Sequence, residues 1–123
     1  MITSEVIFKY ENTKVTFLAE GRNVMVNATE MAKPFGRQKK PSYWLHTNQA
    51  KDFVKALSKS RIIDLTDLLK VTYGGKSPGT WMNEDLALEF ARWLSPEFGI
   101  WCNDKIKELL KKGVVSLNEQ EKM

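Results

Sequence analysis

The sequence predicts a single small α+β domain: a winged-helix-like core of helix-turn-helix plus hairpin wing, with an N-terminal hairpin and two C-terminal helices. Three observations predict it. β-Branched and aromatic residues alternate near both 5–18 and 71–82. Short helical stretches crowd a basic, proline-marked junction between 27 and 61. Helical apolar spacing then dominates 83–112.

Taken in order, Val6, Phe8 and Tyr10 answer Val15 and Phe17 across a turn at Glu11-Asn12-Thr13, which predicts a hairpin. A second turn at Glu20–Asn23 leads to a short strand, Val24-Met25-Val26. Asn27 caps a helix, and Glu30 three residues on has the spacing of a capping box. Pro34 and Gly36 close that helix. After the loop Arg37–Lys40, Pro41 suits the first position of a second short helix running to His46. Asn48 is expected to cap a third helix to about Lys59, with Ala50, Phe53, Val54 and Leu57 on its apolar face. Lys51, Lys55 and Lys59 make one stripe along it.

Val71-Thr72-Tyr73 and Thr80-Trp81-Met82 read as strands joined by a glycine-rich loop carrying Lys76. Asn83 caps a helix with Glu84 and Asp85 in its first turn and Leu86, Phe90, Trp93 and Leu94 inward. The last helix starts at Ser95-Pro96-Glu97, buries Phe98, Trp101, Cys102, Ile106, Leu109 and Leu110, and is expected to end at Gly113. The domain is thus placed at 1–113, with 114–123 a tail or the start of a linker.

Composition limits function. The 123 residues carry +4 with 42% hydrophobic content, which excludes disorder over the whole chain. From Lys33 to Arg61 eight basic residues face one acid, Asp52, a net +7; the rest of the chain therefore carries −3. Such concentration favours a polyanionic partner, the alternative being a solvated lysine-rich surface. One cysteine excludes a disulfide framework, and no apolar run approaches a membrane span, so a soluble intracellular protein is expected. No cofactor, metal or small-molecule substrate is expected. His46 has no histidine partner, and Cys102 reads as an inert core residue. Lys76 follows Gly75, but Lys70 stands where a P-loop needs its first glycine and no helix follows. The acidic pairs Asp64/Asp67 and Glu84/Asp85 sit at helix starts, which leaves no catalytic cluster and predicts a non-enzyme.

The residues themselves therefore suggest a reader of double-stranded DNA. Arg37, Lys39 and Lys40 suit phosphates, while Gln38, Ser42 and Asn48 have groups able to read base edges, Asn48 equally being a cap. Tyr43 is open between stacking and anchoring; Trp44 reads as core. Lys51 and Lys55 extend the basic stripe. The alternative is a protein-interaction module that binds a repressor, with Tyr43, Trp44 and Tyr73 as an aromatic patch.

Val26–Ala32, Gly79–Met82 and Leu86–Phe98, reading VNATEMA, GTWM and LALEFARWLSPEF, resemble the KilA-N domain of phages, prophages and large DNA viruses, over roughly residues 5–112. The VNAT and GTW elements are also similar to the fungal APSES domain, understood to share the fold. The resemblance implies a DNA-binding domain in phage or prophage gene regulation, in the bacterial cytoplasm with the nucleoid. It puts DNA contacts on Arg37, Gln38, Lys39, Lys40, Ser42, Asn48, Lys51 and the hairpin's Lys76, with the tryptophans as scaffold. It also implies a second, C-terminal domain in the full protein.

Overall fold

The computed structural model describes residues 3–21 and 23–122, without the side chains of Thr3 and of 112–122. Its elements are β1 (Thr3–Tyr10), β2 (Thr13–Glu20), β3 (Asn23–Asn27), α1 (Ala28–Ala32), two 3₁₀ turns (Lys33–Phe35 and Arg37–Lys39), α2 (Pro41–Leu45), α3 (Asn48–Arg61), α4 (Leu65–Leu68), β4 (Leu69–Thr72), β5 (Gly79–Asn83), α5 (Glu84–Leu94) and α6 (Pro96–Lys122). The class is α+β, as the sequence predicts.

The strands form one antiparallel sheet in the order β1-β2-β3-β5-β4. Two-residue geometry makes the first hairpin: Tyr10 pairs with Thr13, and Glu11 and Asn12 both take positive φ, as a primed turn requires. The second hairpin joins the first sheet because β3 pairs with β5, Val26 against Met82 and Asn27 against Trp81. Local alternation cannot reveal that union, since the partners lie far apart in sequence.

Three successive residues of β2, Val15, Thr16 and Phe17, are buried, so both faces of the sheet are covered there. On one face Phe17 meets Phe8 edge-on at 5.3 Å and Trp101 of α6 at 6.3 Å. Phe90 and Phe98 of α5 and α6 are fully buried in the same core, each such side chain contributing roughly 1.5–3 kcal/mol. On the other face the Thr16 amide donates to Glu30 Oε1 of α1 at 2.7 Å.

Glu30 is thereby a correction. Asn27 does cap α1, its Oδ1 accepting from the Glu30 amide at 3.0 Å. The Glu30 carboxylate, however, serves β2 rather than the cap: it is 3% exposed, takes the Thr16 amide and lies 3.5 Å from Lys14 Nζ. A buried strand amide without a ladder partner is the stronger demand.

Four further expectations shift. Thr47, not Asn48, caps α3, its hydroxyl accepting from the Ala50 amide at 3.1 Å. Asn48 is the first helical residue and exposed. β4 starts earlier than expected, at Leu69, and leaves Tyr73 outside; a short α4 precedes it. Trp93 is only half-buried. Helix α6 runs on through Gly113 to Lys122, because one interior glycine costs only about 1 kcal/mol relative to alanine.

The capping exchange is testable. Thr47→Ala should cost about 1 kcal/mol in urea denaturation. Asn48→Ala should be neutral within about 0.5 kcal/mol. Equal losses would return the cap to Asn48. Burial pushes the Cys102 thiol up to about 12, so a disulfide-exchange reagent at neutral pH should label it only on unfolding.

Candidate nucleic-acid interface

The basic junction is shaped by residues that stop helices. Pro34 sits at the start of the first 3₁₀ turn, so α1 cannot continue past Lys33. Gly36 then takes φ 93° and ψ 172°, a region essentially reserved for glycine, and the chain reverses into the second 3₁₀ turn. Pro41 opens α2 with its ring where an amide would have no partner. Three short elements thus follow one another at sharp angles, with the cations of 33–40 on the corners.

Opposite them stands the β4–β5 hairpin, held by the VNAT residues. Asn27 Nδ2 donates to the Ser77 carbonyl at 3.0 Å and to that of Pro78 at 3.4 Å, while its Oδ1 caps α1. Thr29 Oγ1 accepts from the Thr80 amide at 3.0 Å. Gly79, at φ 133°, is where this contact is closest: a Cβ there would lie 2.5 Å from Thr29 Oγ1. Thr16 Oγ1 and Ser77 Oγ share a hydrogen bond at 3.2 Å, and Lys14 Nζ donates to the Lys76 carbonyl. Trp81 Nε1 donates across the hairpin to Thr72 Oγ1 at 3.2 Å. The β4–β5 loop is therefore tied down at several points rather than free.

Between junction and hairpin lies a groove of about 510 Å³. Lys33, Arg37, Lys40 and Ser42 line it with Gly36 and Pro41, and Thr29, Ala32 and Thr80 also contribute. Among the described residues, none of its three cations forms an ion pair. Cations and hydroxyls on a concave wall suit an anion whose oxygens take several donors at once.

Of the residues expected to bind, Arg37, Lys40 and Ser42 come together here. Gln38 is exposed in the same turn. Lys39 is half-buried with its ammonium 4.2 Å from the centre of the Trp93 ring, a cation–π contact that gives it a structural task. Tyr43 is 53% exposed on α2, while Trp44 beside it is buried against Phe90 at 5.4 Å. Lys76 is exposed in the hairpin loop. Lys51 and Lys55 line a separate depression with Lys59. Lys33, Thr29 and Thr80 were not expected in a site. Lys33 belongs to the +7 run, but nothing local brings Thr80 to it.

Fold and groove define a small α+β domain with a concave cationic face braced by a pinned hairpin. The chain belongs to the KilA-N domain family, whose model matches residues 8–112. That family is generally DNA-binding and is not an enzyme family. Among curated proteins and among solved structures, none matches the chain significantly. No helix among the described residues is long and apolar enough to cross a membrane.

Gly79→Ala should destabilise the domain by roughly 2–3 kcal/mol, from the positive φ and the Thr29 collision together. Adding Thr29→Gly, which removes the Cβ 2.6 Å from the new methyl together with the hydroxyl, should recover part of the loss, so the two changes should be non-additive by about 0.5 kcal/mol or more in a double-mutant denaturation cycle. Strict additivity would show that the two motifs do not meet.

Proposed function

We propose that this domain binds double-stranded DNA, with the groove between the 3₁₀ turns and the β4–β5 hairpin seated on the phosphate backbone. The observation that carries this reading is the convergence of Lys33, Arg37 and Lys40, which form no ion pair among the described residues, with Ser42 and Thr80 on one concave face. Phosphate oxygens accept from such donors, and each neutralised phosphate releases counterions. Gln38, Tyr43 and Asn48 are exposed on the same run of short elements, which suits contact with base edges or sugars. Exchange of the capping role to Thr47 leaves the Asn48 amide available for it. Lys76 on the wing reaches the flanking backbone, and the Lys51–Lys55 stripe adds to the attracting field.

A role in controlling phage or prophage genes, in a bacterial cytoplasm, fits the resemblance in the VNAT, GTW and LALEFARWLSPEF segments. The domain carries the recognition step.

Fluorescence anisotropy with a random-sequence duplex at several salt concentrations tests the reading. Log affinity should fall against log salt with a slope of about −0.9 per phosphate contacted. Arg37→Ala with Lys40→Ala should weaken every duplex alike and flatten that slope by roughly 2, whereas Lys39→Ala should mainly lower stability. A double variant that binds as the parent does would move the DNA face elsewhere.

A further inference from the structure

A second depression, of about 540 Å³, opens between α3 and the α4–β4 segment. Its chemistry differs from that of the first. Leu45, Val54, Leu65 and Leu69 supply an apolar lining, and Lys51, Lys55 and Lys59 stand along one side. The three lysines recur every four residues, so their stems follow about 12 Å of the α3 axis, two helical turns. None of them forms an ion pair among the described residues. Leu65 is 55% exposed.

One backbone feature sets this end of the molecule apart. Between Lys59 and Leu65, Ile62 closes α3 in the left-handed region at φ 53°, with 92% of its surface exposed. A β-branched residue is strained there, and Gly or Asn would be the relaxed choice. Burial does not compensate, since the side chain meets water. The fold therefore carries an exposed, strained isoleucine three residues before Leu65, an exposed residue of the groove lining.

We propose that this groove docks an acidic amphipathic helix from a protein partner. Its apolar residues would seat among Val54, Leu65 and Leu69 and cover Ile62, and its carboxylates would pair with Lys51, Lys55 and Lys59. Charge complementarity selects the acid, and the apolar lining selects a peptide over a nucleic acid, whose backbone would leave it uncovered. The site shares no lining residue with the groove of Lys33, Arg37 and Lys40, so the domain can hold DNA and a protein on different faces.

The test uses the whole chain, isotopically labelled, and two synthetic peptides of about four helical turns. One presents Leu on one face and Glu on the other; its control has Ala for every Leu. The Leu peptide should shift the methyl resonances of Leu45, Val54, Leu65 and Leu69 and bind about tenfold tighter than the control. Ile62→Asn should weaken the Leu peptide several-fold without lowering the thermal midpoint, because asparagine accepts the left-handed conformation. Lys51→Glu with Lys55→Glu should weaken it at least tenfold. The proposal is overturned if the Leu peptide shifts none of these methyls, or if the control binds equally well, which would reduce the effect to charge. It is equally overturned if duplex DNA shifts the same methyls and displaces the peptide. Loss of DNA binding in Arg37→Ala with Lys40→Ala, with peptide binding retained, separates the two faces.

Discussion

One side-chain amide ties the start of the helical unit to the β4–β5 hairpin. Asn27 is fully buried at the end of β3, and its two polar atoms act in different directions. The carbonyl oxygen starts α1 by accepting from the Glu30 amide; the amino group fixes the β4–β5 loop through the Ser77 and Pro78 carbonyls. Aspartate would keep the first contact and lose the second, while serine would not span both. Because β3 pairs with β5 at Asn27 and Trp81, the same residue also sits at the seam where the two hairpins become one sheet. The start of the helical unit and the tip of the β4–β5 hairpin are thus both held by a single side chain.

That dependence matters because the elements bearing the cations have little stability of their own. Helices α1 and α2 have five residues each and the 3₁₀ turns three, well below the length at which an isolated helix persists. Their positions come from tertiary contacts: Trp44 against Phe90, Lys39 over Trp93, and Phe35 edge-on to Phe98 at 5.3 Å. The α5–α6 pair therefore acts as a base on which the basic corners rest, which accounts for the aromatic density of LALEFARWLSPEF without any direct contact with a ligand.

The fold was largely legible because its signals are local. Alternation, caps and helix breakers each occupy a few neighbouring residues, and the first hairpin, Asn27, Asn83, Pro41 and the core of α5 and α6, Trp93 excepted, are found where they point. What was not legible rests on distant pairs. Glu30 has the spacing of a capping box, yet the unpaired Thr16 amide across the sheet claims its carboxylate. Thr47 and Asn48 are both good caps, and the choice depends on where α2 ends. The groove divides similarly: Arg37, Lys40 and Ser42 lie close in sequence and can be grouped from charge and position, whereas Thr29 and Thr80 enter only once β5 lies beside β3.

The lysine count shows why charge along a sequence overstates a binding face. The run from Lys33 to Arg61 reads as a single +7 block, but its members have different work. Arg61 is held 3.3 Å from Asp85 of α5, and Lys39 lies on an indole ring. Lys33, Arg37 and Lys40 line one depression, and Lys51, Lys55 and Lys59 another with an apolar wall. Long-range attraction depends on the sum and is felt by any polyanion approaching the domain. Contact depends on which cations share a concave surface with suitable neighbours. A hydroxyl-rich wall suits phosphate oxygens and an apolar one does not, so the same residue type, repeated within thirty positions, stands in two different surroundings according to what the fold sets opposite it.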